Sequence, residues 1–470
     1  MKKFLYTISI LIFIQNITLA LDIVYPKQEY FKLNSPSTFF VGSVQKGNKL
    51  YINNKEIPVH KTGAFAQFVN LNFGKNEFTI KDCINTKKYI IERISNQKNN
   101  TAKFIPFNEN KTAEIIRDNV PIRSSYKQFG INRISHFQKG LKLKVIGEFD
   151  DMYKIELSPV ENAWIAKNDV KINSECINKT FLYDYRKRET NNEYIYEFAL
   201  SDKTPYSIKE DNDNELTLKI YNVSANKNDT AIFKFILNQR IMGYNLKYDG
   251  DVLALSIKKE PQLDKLIPLK GIKIVVDAGH GGKEPGAISC CHDYEKDFNL
   301  SMALYLEKFL KEMGADVYMT RSSDKFVSLE DRVKYTNDIN AQIFISIHAN
   351  SLPDNANPQN HRGSSVYYYY NEAKLLSEIL LNTIFKEMNM NIENVNQASF
   401  AVVRNTSAVS VLVESAYVIN PDDNELLMQD DFRKAYAKTL ANGIKNYVWY
   451  TETNNLEIPK TKKIKFIKIS

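Results

Sequence analysis

The stretch that most constrains this chain is Ile-Lys-Ile-Val-Val-Asp-Ala-Gly-His-Gly-Gly at residues 272–282. A short apolar run cut off by glycines reads as a buried strand ending in a tight turn. The turn presents an imidazole, His280, at the strand's end. Glu295 opens a helical pattern further on, and a second apolar run, Phe-Ile-Ser-Ile, delivers His348. Two His and one Glu, with no fourth protein ligand evident, is the donor set of a catalytic zinc site that keeps one position open for water. Such residues meet where the ends of adjacent strands converge on one edge of an α/β sheet.

A chain of 470 residues exceeds one ordinary domain, and roughly two to four are expected. The formal charge of +8 is spread along the chain. It reads as a solvated surface that favours an anionic polymer at long range. No RNP motif, zinc finger or basic helix points to nucleic acid. Lys2 and Lys3, an apolar stretch at 4–14 and Thr-Leu-Ala at 18–20 read as a signal peptide over 1–20. That stretch is shorter than the ~20 residues of a membrane span, so no transmembrane domain is expected in the mature chain. Four Cys, at 83, 176, 290 and 291, are too few for a disulfide scaffold.

The pattern along the chain changes at Gly271. Before it, short alternating runs punctuated by Gly and Asn argue for all-β modules. Residues 22–100 read as a β-sandwich resembling immunoglobulin-like modules. Asn99, Asn100 and 108–111 read as a polar linker. Residues 112–172 resemble a bacterial SH3-like module through 120–124, 139–148, 153–155 and Trp164-Ile165. Residues 178–262 form a further β-rich module, and 265–270 is the linker that follows. From Gly271 strands alternate with helices, predicting an α/β catalytic domain over 270–450 with a mixed sheet flanked by helices. A basic tail fills 451–470.

Five pieces of the last domain appear in order: Asp-Ala-Gly-His-Gly-Gly at 277–282, Glu-Lys-Asp at 295–297, Thr320-Arg321, Ser-Ile-His-Ala-Asn at 346–350, and Val413-Glu414. Together they resemble the zinc-dependent N-acetylmuramoyl-L-alanine amidases of bacterial cell walls, amidase family 3, over 270–450. The third β module is similar to the targeting domains that precede many such enzymes. The resemblance implies one zinc ion held by His280, Glu295 and His348. It implies Glu414 as the general base that later protonates the leaving amine. It places Arg404 on a substrate carboxylate and Asn350 beside His348, both as substrate-binding residues, and gives Arg321 a structural ion pair. The implied reaction cleaves the amide between N-acetylmuramic acid and the L-alanine of the stem peptide. Peptidoglycan is then the partner, with envelope or division proteins meeting the β modules, in the periplasm, cell wall or outside. A zinc carboxypeptidase on the same fold and an inactive wall-binding regulator are the rival readings.

There are departures from the family pattern. Cys-Cys-His-Asp at 290–293 fills a loop that is usually small and polar, so Cys291 or His292 is a further metal candidate. Glu393-Asn394 stands where the family often has Arg-Gly. No inhibitory helix is expected within 351–400, which reads as one loop and one helix.

Overall fold

The structure, a computed structural model, describes residues 21–95, 103–173, 175–224 and 228–453. The expected signal peptide, Asn99, Asn100 and most of the basic tail lie outside the described residues. No helix among the described residues is long and apolar enough to cross a membrane.

The first unit, from Leu21 to about Arg93, is two facing sheets. One has three strands, ordered Asp22–Tyr25, Ser37–Ser43 and Ala64–Asn70. The other has five, Tyr30–Leu33, Thr86–Arg93, Gly74–Lys81, Leu50–Ile52 and Lys55–Ile57. Phe40, Leu50, Phe65, Ile80 and Ile91 fill the space between them. Asn53 and Asn54 both take positive φ, 48° and 64°. That is the mirror-image turn that suits the twist of a two-residue hairpin.

The second unit is one seven-stranded antiparallel sheet from Ile105 to Asn173. Residues 108–111 are not a linker. They belong to its strand Ile105–Ile115, whose first half is mostly exposed, and the polar side chains there simply face water. The third unit pairs a four-stranded with a three-stranded sheet between Leu182 and Lys258. The second and third units share one apolar core running from Ala113 to Ile257. Phe137 meets Tyr206 edge-on, with ring centroids 5.2 Å apart.

The last unit carries the candidate site. Its strands are β1 (Lys273–Ala278), β2 (Asp316–Met319), β3 (Ile343–Asn350), β4 (Ser364–Tyr368), β5 (Ile392–Gln397) and β6 (Val409–Tyr417). The sheet order is β2-β1-β3-β6-β4-β5. The first four are parallel, and β4 turns antiparallel to β6. The mixed sheet expected from sequence is present, but 351–400 holds β4 and β5 as well as a loop and a helix. Helices α1 (Glu295–Glu312), α3 (Lys374–Met388) and α5 (Asp430–Thr453) cover one face through Met302, Leu306, Leu376, Leu380, Tyr436 and Leu440. Helix α2 (Leu329–Ile339) covers part of the other, with Tyr335 and Ile339 packed near Val275 and Phe344. Ser328 caps α2 by accepting from the Asp331 N–H at 3.1 Å. A short α4 (Pro421–Met428) precedes α5.

The first unit also docks on this domain. Phe39, Val41, Ala64 and Ala66 pack against Cys290 and Ile419. Tyr25 and Thr38 donate to Asp354 at 2.5 and 2.6 Å.

Candidate metal centre

The turn after β1 is held by charge. Asp277 is buried and accepts from Thr320 at 2.5 Å, from Ser346 of the adjacent strand at 2.6 Å, and from Arg332. Arg332 also donates to the carbonyls of Ala278 and His280, each at 2.8 Å. Arg321 is buried too, but it makes no carboxylate ion pair among the described residues, contrary to expectation. It donates instead to the carbonyls of Ala278, Gly279 and Lys296, each at 2.8 Å. Two guanidiniums thus fix the loop and the start of α1 together. His280 sits at φ 59°, a conformation that costs a non-glycine residue about 1–3 kcal/mol and needs surrounding bonds to persist. The Arg332 bond to its carbonyl is such a bond.

Three donors meet at this edge. His280 Nε2 lies 3.2 Å from Glu295 Oε2, and His348 Nδ1 lies 2.9 Å from Glu295 Oε1. All three ligand atoms lie within 4.8 Å of one another. Two imidazoles and a carboxylate at this spacing match the three-protein-ligand zinc sites that leave a fourth position open. The Glu295 carboxylate is oriented by the Ala287 and Ala349 N–H groups, at 2.8 and 3.2 Å, and by Asn299 at 3.2 Å. Burial works to raise the Glu295 pKa, but the two imidazoles overcome it and hold the carboxyl well below the usual range. Burial works to lower His348, and the Glu295 bond reverses it. Space is tight here. A Cβ on Gly279 would overlap the His348 ring. One on Gly286, at φ +72°, would meet Glu295 Oε2 at 2.5 Å.

Glu414 stands beside this triad because β3 and β6 are in register, His348 opposite Glu414. In-register neighbours on parallel strands share a face. Its Oε2 is buried and has no hydrogen-bond partner among the described residues. Burial pushes its pKa up to about 7, with His348 opposing and Glu295 reinforcing the rise.

The structure separates the remaining candidates from the centre. Asn350 does not hydrogen-bond His348; its side chain accepts from the Ser351 N–H at 2.9 Å. Arg404 precedes β6, whereas Glu414 sits near its far end. At ~3.3 Å per residue the strand alone puts on the order of 16 Å between them. Arg404 therefore lies toward the opposite end of the strand from the triad, where it donates to Ser399. Cys290 is buried against Asn424, His292 pairs with Asp22 of the first unit, and neither they nor Cys291 join the donor cluster. All four cysteines are free. Arg332 and Asn299 were not singled out by sequence. Asn299 had a signal, since a residue four after Glu295 shares its helix face.

Comparison with known proteins bears on this geometry. Residues 274–446 match the N-acetylmuramoyl-L-alanine amidase family. A probable cell wall amidase LytH of Staphylococcus epidermidis is 36% identical over 182 residues, 38% of this chain and 60% of that protein. The solved amidase AmiC2 of Nostoc punctiforme is 35% identical, covering 38% of this chain and 99% of that one, with a TM-score of 0.37. Through this segment the chain belongs to the amidase family. The catalytic domain of CwlV, an N-acetylmuramoyl-L-alanine amidase from Bacillus (Paenibacillus) polymyxa, is 34% identical over 98% of its length, with a TM-score of 0.36. By contrast, the chain spans only about three fifths of the curated Staphylococcus relative. The matched residues contain His280, Glu295, His348 and Glu414, and exclude all three β units.

Proposed function

We propose that this chain is a peptidoglycan hydrolase that cleaves the amide between N-acetylmuramic acid and L-alanine, using one zinc ion held by His280, Glu295 and His348. The observation that carries the reading is the convergence of those three donors beside a buried carboxylate with an unpartnered oxygen, within the amidase segment. Zinc in such a site supplies a Lewis acid and makes water a usable nucleophile near neutral pH. Glu414 takes the proton of the attacking water and returns it to the leaving amine. A carboxyl titrating near 7 is matched to both halves of that transfer. Glu295 fixes the two imidazoles, and Arg321, Arg332 and Asp277 hold the turn that carries His280.

The three β units are read as immunoglobulin-like, SH3-like and targeting-like modules that engage the wall or envelope proteins. The core shared by the second and third supports their acting as one arm. The names of the cell wall relatives, and the segment at 1–20 read as an export signal, support a site of action at the wall.

The test is digestion of purified peptidoglycan by the full chain, with and without chelator, followed by mass spectrometry. Release of peptides beginning with free L-alanine, abolished by chelator and restored by zinc, is the expected result. Loss of a terminal amino acid would instead identify a carboxypeptidase. Wall binding with no release after zinc is restored would favour the regulator.

A further inference from the structure

Arg404, set apart from the metal centre, lies in a second constellation at the junction of the second unit with the amidase domain. Arg123 is 7% exposed, and its one side-chain bond among the described residues, to Asn132, is 3.5 Å long. Arg133 donates to His136 at 3.0 Å, while its Nε is buried with no partner among the described residues. Among the described residues, the Arg404 side chain bonds to Ser399 alone. The Arg133 N–H joins the second unit to Tyr369 of the amidase domain at 3.2 Å. None of the three guanidiniums has a carboxylate within 4.0 Å among the described residues, although nearby Arg117 does. The charges feel one another: burial together with Arg404 and Arg123 lowers Arg133 to about 10. Burial, aided by all three, keeps His136 neutral at a pKa of about 3.

Arg123 is buried and Arg133 and Arg404 are half-buried, so three like charges share a partly desolvated junction with no carboxylate in contact, which favours an anion among them. A cavity of about 750 Å³ opens here, lined by Arg133, His136, Tyr244, Lys247, Tyr370 and Arg404 from all three adjoining units, with Asp118, Glu330 and Asp338 also in its wall and Arg123 behind it. Guanidiniums match the planar, two-oxygen face of carboxylate and phosphate.

We propose that this junction binds an oxyanion, the carboxylate or phosphate group of a ligand that enters the cavity between the second and third β units and the amidase domain. Bound there, the ligand touches all three units and so tightens their docking.

Calorimetric titration of the intact, zinc-loaded chain with inorganic phosphate, and separately with N-acetyl-D-alanine, tests it. Binding of either probe supports the site, and which one binds identifies the source of the oxyanion. The affinity should fall about tenfold or more in Arg133→Gln and in Arg404→Gln, because bonds to charged groups carry that much. Binding unchanged in both variants would place the anion at the metal centre and overturn the proposal, as would no binding of either probe. Thermal melts of the unaltered chain give a reading independent of the variants' folding. The melting temperature should rise in the bound anion beyond its value in chloride of equal ionic strength, and equal rises would also overturn it.

Discussion

Replacing Glu414 with Gln should make the metal-stripped protein more stable at pH 8 while destroying its activity when zinc is supplied. The carboxyl is raised from 4.5 to about 7 by burial. The folded chain therefore holds its proton more tightly than the unfolded one. No penalty exists below pH 4.5; stability falls as pH rises from there to 7, and the full cost remains above it. Each pH unit of that rise is worth about 1.4 kcal/mol, so the cost above pH 7 is about 3 kcal/mol. Gln keeps the shape and removes the charge. The variant should gain nothing at pH 4.5 and up to about 3 kcal/mol at pH 8, a rise of about 6–12 °C for a domain of this size. Glu295 and His348 titrate in both proteins and largely cancel in the difference. With zinc restored, loss of the general base should lower turnover about 10²–10⁴-fold. Melting curves at the two pH values and a muropeptide assay read both effects. A variant less stable than the parent at pH 8 would refute the argument, because it would mean the carboxylate has a stabilising partner in the fold.

Three further outcomes follow from the same geometry. Asp277→Ala leaves Arg332 buried without its counter-ion and should cost about 3–5 kcal/mol in a denaturant titration; a loss under about 1 kcal/mol would show that the bonds to backbone carbonyls suffice. Gly279→Ala forces a methyl into the His348 ring and should weaken zinc binding about tenfold or more, measured by competition with a chelator, while circular dichroism stays unchanged. Replacing Cys290 and Cys291 together by Ser should leave one zinc per chain by elemental analysis, since neither joins the donor cluster; a fall in stoichiometry would make one of them a ligand.

Much of the amidase domain was legible because its signals are local. Phe298, Met302, Leu306 and Leu310 recur at helical spacing and mark α1, and Ser328 announces α2 as a cap. β4 and β5 were not legible: Ser-Ser-Val-Tyr-Tyr lacks strict alternation, and β5, Ile-Glu-Asn-Val-Asn-Gln, is a polar edge strand with only one neighbour. Residues 108–111 misled in the opposite direction, since a solvated half-strand has the composition of a linker.

The sequence alone determined the donor types and the strand ends that carry them: a buried strand must stop at a glycine turn, and His280 and His348 sit at such stops. It could not determine which side chains reach the centre. Asn350 stands two residues after a ligand yet bonds to Ser351, and Arg404 lies toward the far end of the strands because β6 runs parallel to β1 and β3. Arg332, distant in sequence from the turn it holds, becomes its anchor only when α2 packs across the sheet. Strand direction and register fix which ends meet, and both arise from long-range pairing that no local pattern encodes.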